Sequence, residues 1–77
     1  MPRYFFDVIE SGRVIPDPDG SEMGGPDEAI SYCRQSAREI LAQRVRFGDR
    51  VGNTTIRIRD ADQGTLCEIA VMNVLEP

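Results

Sequence analysis

A chain of 77 residues has room for a single hydrophobic core, so residues 1–77 read as one domain. Its composition, 40% hydrophobic and 29% charged, is that of a globular protein and argues against a disordered chain. The net charge of −4 conceals an acid–base–acid order: residues 1–28 carry −5, residues 29–59 carry +5 and residues 60–77 carry −4, a pattern that can neutralise itself in the fold or leave a basic face.

The first element is RYFFDVIE, residues 3–10, whose aromatic and β-branched residues have strand composition. In a strand Tyr4, Phe6 and Val8 share one face, and Phe5, Asp7 and Ile9 share the other. Both faces are substantially apolar, which predicts a central strand covered on both sides. Ser11-Gly12 supplies a tight turn, and Arg13 to Ile15 read as a short second strand that Pro16 ends or marks as an edge. Residues 16–25, PDPDGSEMGG, are turn chemistry throughout.

A helix is predicted over 26–47, roughly 33 Å long at 1.5 Å per residue. Pro26 suits its first position, Gly25 its cap, and Asp27 and Glu28 the positive end of its dipole. Ile30, Cys33, Ala37, Ile40, Leu41 and Val45 form its apolar stripe; Arg44 and Arg46 occupy the last turn, and Gly48 is a stop. Thr54 to Arg59 then alternate, with Ile56 and Ile58 inward and Thr55, Arg57 and Arg59 outward. After the turn DADQG, Thr65 to Met72 form a last strand: Cys67, Ile69 and Val71 on one face, Leu66, Glu68, Ala70 and Met72 on the other. The tail NVLEP wraps or frays. The order is β-β-α-β-β, an α+β fold with a four-stranded antiparallel sheet and one long helix packed on one face. The first and last strands are expected to be central neighbours. The second face then needs a curled sheet, the tail or a second chain to cover it.

Histidine and lysine are absent, which removes the commonest general base and metal ligand as well as any Schiff-base lysine. Asp17-Pro18-Asp19-Gly20 resembles part of a calcium loop. With Gly20 at the sixth position, however, Ile15 and Pro26 fall where ligands are required, so an ordinary turn is the better reading. Cys33 and Cys67 make only half a zinc site and read as buried apolar residues. The carboxylates Glu28, Glu39, Asp60, Asp62 and Glu68 read as solvated charge. Asp27 and Glu28 disfavour an anion at the Gly24-Gly25 helix start. No catalytic, cofactor-binding or metal residues are assigned, and no cofactor is implied. No apolar run approaches the ~20 residues of a membrane span, and the N-terminus shows no secretory pattern, so the expected location is cytoplasmic, with no membrane partner. Arg34 and Arg38, one helical turn apart, and Arg57 and Arg59, on one strand face, are the binding candidates; the competing reading pairs Arg57 and Arg59 with carboxylates across the sheet.

The opening MPRYFFDV, the stretch RVIPDPDGSE, the helix start PDEAI and the ending DADQGTLCEIAV resemble a family of short bacterial proteins. Its members typically begin MPRYFFHV and continue with a D-x-x-G-x-E loop, an alanine-rich helix and a hairpin with a D-x-x-G turn. The family is a domain of unknown function, so the resemblance implies no activity and no site residue. Asp7 stands where many members have histidine. A looser similarity is to the N-terminal domain of HicB-type antitoxins, where a hairpin and a D/P/G-rich loop also lead into a helix, although the extra strand usual before that helix is missing.

The expected function is that of a non-enzymatic protein-interaction module acting as a homodimer, with an unknown protein partner. The alternative is an RNA- or nucleic-acid-associated regulatory module, HicB-like, using the Arg34–Arg59 segment. The candidate interaction surface comprises Arg34, Arg38, Arg57, Arg59, Leu66 and Met72.

Overall fold

The computed structural model describes residues 2–48, 53–62 and 64–75. The chain runs β1 (Arg3–Glu10), β2 (Arg13–Ile15), β3 (Ser21–Glu22), α1 (Pro26–Phe47), β4 (Thr54–Asp60) and β5 (Gly64–Ala70), and continues into a 3-10 turn over Val71–Leu75. This is the expected α+β architecture: an antiparallel sheet with one long helix packed against it. The addition is β3, two residues long, inside a stretch whose composition promises only turns. Asp49 and Arg50 of the basic tract, Gln63 of the second hairpin, and Glu76 and Pro77 of the tail lie outside the described residues.

β1 is central, as its two apolar faces predict. One edge pairs with β4 along its length, from Tyr4 opposite Asp60 to Glu10 opposite Thr54. The other edge is shared: β2 lies opposite Val8 to Glu10, and β3 opposite Arg3 and Tyr4. At the β1–β2 hairpin both turn residues, Ser11 and Gly12, take positive φ (49° and 83°), the two-residue turn whose twist matches the flanking strands. The strand order β2-β1-β4-β5 corrects the expectation that the first and last strands are neighbours. Burial explains the choice. Ile56 and Ile58 of β4 are almost wholly buried and need a strand on each side, whereas β5 carries exposed Thr65, Leu66 and Glu68 and tolerates the edge.

α1 starts and stops where the sequence says. Pro26 sits in the first turn behind Gly25, and the Glu28 carboxylate reaches back to accept the Gly24 N–H. Gly48, at φ 74°, closes the other end by donating its N–H to the Val45 carbonyl. Ala29, Cys33, Ala37 and Leu41 are buried at four-residue intervals, and three of the four are small, so the helix lies close on Ile56 and Ile58. Ile30 and Ile40 flank that line. Val45, expected in the stripe, is instead 71% exposed, and Phe47 is 73% exposed. The helix outruns the sheet: 22 residues of helix extend roughly 33 Å, seven residues of strand roughly 23 Å. Arg44, in the overhanging turn, ties back to the carboxylate of Glu10.

The last strand ends at Ala70, two residues before the predicted Met72. Ala70 faces Thr55, so β4, which starts at Thr54, offers only one further residue to pair with. The chain turns instead, and Val71 and Val74 bury against the core formed with the helix. The tail therefore wraps on the helix side, which leaves the opposite face of the sheet uncovered by it.

Candidate functional site

Strand alternation and register build the open face row by row. Val14, Ile9, Thr55 and Ala70 are consecutive cross-strand partners on β2, β1, β4 and β5, and form an uncharged row across the whole sheet. Val14 is 48% exposed and the other three are half-buried. The next row is charged: Asp7, Arg57 and Glu68. Beyond it Phe5 faces Arg59.

Asp7 organises these rows. Its side chain is only 1% exposed, although no layer of the fold lies over it. Arg59 donates from Nε at 2.5 Å to Oδ2 and from a terminal nitrogen at 3.2 Å to Oδ1. Arg57 donates to Oδ2 at 3.4 Å, and the backbone N–H of Asp17 donates to Oδ1 at 2.9 Å. The Arg59 hydrogen bond holds the Asp7 carboxyl below its ordinary range, outweighing burial, with Asp17 and Arg57 adding to it. The Arg59 guanidinium also lies 4.9 Å from the centre of the Phe5 ring. Arginine stems and a guanidinium plane thus shield what sequence composition suggested a second layer would cover.

Asp17 extends the network into the loop. Its carboxylate accepts the N–H of Phe6 at 3.2 Å, of Gly20 at 3.1 Å and of Asp19 at 3.3 Å. That engagement is the structural content of the D-P-D-G stretch: a turn closed on its own backbone. Gly20 has φ +71°, and a Cβ there would stand 2.9 Å from both the Phe5 ring and the Tyr4 carbonyl oxygen. Among the described residues, no three of Cys, Asp and Glu gather as a group able to hold a metal ion.

The predicted interaction residues do not converge on one surface. Arg57 and Arg59 share the open face and pair with Asp7, as the cross-sheet reading held, while Arg57 Nε is buried without an acceptor. Arg34 and Arg38 lie on α1, which covers the opposite face, so the Arg34–Arg59 segment does not form one continuous basic face. Leu66 is the extra residue at the irregularity where β5 shifts register against β4, and Met72 lies in the 3-10 turn; both are partly exposed, away from the uncharged row. Sequence reasoning missed Asp7 as the hub and Val14 and Ile9 as row members. The alternation that puts Asp7 beside Phe5 was the available signal.

Cys33 is fully buried and its thiol is pushed up to about 12, first by burial and then by the neighbouring Cys67, with Arg34 opposing. Cys67 is half-buried, less than predicted, because it sits on the edge strand; burial raises its pKa too. No helix among the described residues is long and apolar enough to cross a membrane.

A family model described as "Domain of unknown function (DUF6894)" matches residues 3–72. No curated protein and no solved structure matches the chain.

Proposed function

The chain belongs to the DUF6894 family of unknown function, and from that premise we propose that it is a non-enzymatic protein-interaction module that works as a homodimer. One observation carries the reading. The helix and the tail both pack on one side of the sheet, while the other side presents the row Val14–Ile9–Thr55–Ala70 across its full width. We read this uncharged strip, bordered by the charged row Asp7, Arg57 and Glu68, as the contact surface. A two-fold interface needs only one self-complementary patch to close. The non-enzymatic half is supported by the state of Asp7: two guanidiniums and a backbone N–H occupy this buried carboxylate, leaving it unsuited to proton transfer.

Sedimentation equilibrium at micromolar concentration is expected to return twice the chain mass of 8.6 kDa. The melting temperature is expected to rise with protein concentration, because assembly is linked to folding. A monomer mass over the whole accessible concentration range rejects the reading.

A further inference from the structure

We propose that the outer edge of β5 takes an extended acidic segment of a partner protein as an added strand, with Arg34 and Arg38 of α1 pairing to its carboxylates. The inference goes beyond the homodimer reading and uses a different part of the molecule, the rim of the sheet.

Strand β5 ends the sheet, and among the described residues no strand pairs with its outer edge. The direction of its backbone groups follows from β1. The Phe6 N–H points away from β4, toward Asp17, and backbone groups alternate in direction along a strand. Odd-numbered residues of β1 therefore bond β4, and the Ser11 N–H, which donates to the Asn53 carbonyl, continues that alternation. Even-numbered Ile56 and Ile58 of β4 then bond Ile69 and Cys67 of β5. The N–H groups of Glu68 and Ala70 are left pointing outward from the sheet. The opposite flank is broken into segments of three and two residues, whereas β5 runs for seven, with neither proline nor lysine. Thr65, Leu66 and Glu68 on it are exposed, and Met72 directly beyond it is exposed as well. Such an edge accepts a strand.

The helix selects which strand. Tyr32 packs on Phe6, so it marks the β1 side of α1. Arg34 lies about 200° farther round the helix, and Arg38 follows one turn later on the same flank. Arg34 and Cys67 of β5 both act on the Cys33 thiol, which places this flank toward β5. Among the described residues neither arginine has an ion pair or a side-chain hydrogen bond, in contrast to Arg57 and Arg59. The edge is thus overlooked by two cations without carboxylate partners. In a strand laid along β5, every second side chain rises on the helix side, where acidic residues meet these arginines. A second copy of β5 is the wrong occupant: its antiparallel pairing brings Arg34 and Arg38 of both copies together, four like charges across one seam.

The test titrates the full chain with an amidated peptide of alternating valine and glutamate, eight residues long, and follows amide shifts. Shifts are expected along Thr65 to Ala70 and at Arg34 and Arg38, with β2 silent. The double variant Arg34→Gln/Arg38→Gln is expected to weaken binding at least fivefold, the scale of two exposed ion pairs. Glu68→Pro removes one outward N–H and is expected to weaken it similarly, with Glu68→Ala within twofold of wild type. Circular dichroism verifies that each variant is folded. A peptide with lysine in place of glutamate is expected not to bind. Absence of shifts up to about 1 mM peptide, or equal binding of both peptides, overturns the proposal. So does an oligouridylate that shifts Arg34 and Arg38 while the acidic peptide does not, which makes the flank a nucleic-acid surface. Edge shifts that grow with protein concentration alone assign the edge to a second copy and overturn it too. Each of these failures leaves the homodimer reading to its own sedimentation test.

Discussion

On the helix side of β1, Tyr4, Phe6 and Val8 meet Ile58, Ile56 and the small residues of α1. On the other side, Phe5, Asp7 and Ile9 meet Arg59, Arg57 and Thr55. The first face excludes water by packing apolar atoms against a second layer. The second does so by folding long charged side chains down onto the strand, with a buried carboxylate as their anchor. A small protein with one helix can thus shield parts of both sides of its sheet unequally. The layered side supplies most of the stability, and the self-shielded side keeps the row Val14, Ile9, Thr55 and Ala70 outside that layer.

The sharpest way to break this contrast is at the centre of the layered face. Ile58→Ala removes a fully buried side chain between β1 and β5 and is expected to cost about 4 kcal/mol, read from chemical denaturation. For a chain of this size that is most of the available stability.

The corresponding blow to the self-shielded face is Asp7→Ala. It strips the acceptor from Arg57, Arg59 and the Asp17 N–H at once and is expected to cost about 3 kcal/mol. The same site sets an acid response. Because the folded protein holds the Asp7 pKa below that of the unfolded chain, the stabilisation is complete above roughly pH 4 and is lost as pH falls toward the depressed value. Denaturation between pH 6 and pH 3 is expected to show a smaller acid loss in Asp7→Asn than in wild type. An equal loss in both would place the acid-sensitive group elsewhere.

The paired aromatics sharpen the comparison at a smaller scale. Phe6 touches Tyr32 with ring centres 5.0 Å apart and packs on the core, so Phe6→Ala is expected to cost about 3 kcal/mol. Phe5 is half-buried under one guanidinium, so Phe5→Ala is expected to cost about 1.5 kcal/mol. Equal costs would mean that the second face is packed as fully as the first. The mildest probe is thiol labelling. Cys33 is expected to resist modification until the protein unfolds, and Cys67 to react slowly in the native state.

Most of the fold is legible in the sequence because its signals are local. Pro26, Asp27, Glu28 and Gly48 mark the helix ends, and T-T-I-R-I-R states which side of β4 faces in. What escapes is set by lengths and partners. Val45 fits the helical stripe yet is exposed, because no periodicity in α1 records where the sheet stops. Met72 continues the alternation of β5, but strand pairing has run out before it. The charged row of the site is half-legible. Arg57 and Arg59 visibly share a face, but their partner Asp7 is 50 and 52 residues away, and only the β1–β4 register joins them.

The carboxylate of Asp17 has a further consequence. It fills the interval on β1 between β2 and β3, taking the Phe6 N–H that a continuous neighbouring strand would have taken. Along this side of the sheet an incoming strand meets a three-residue segment ended by Pro16, then a negative charge seated in the ladder, then a two-residue segment. None of these templates the growth of a stack of chains. Two short segments, a proline and a charged side chain together make that flank a poor template for cross-β recruitment when copies of the protein are crowded.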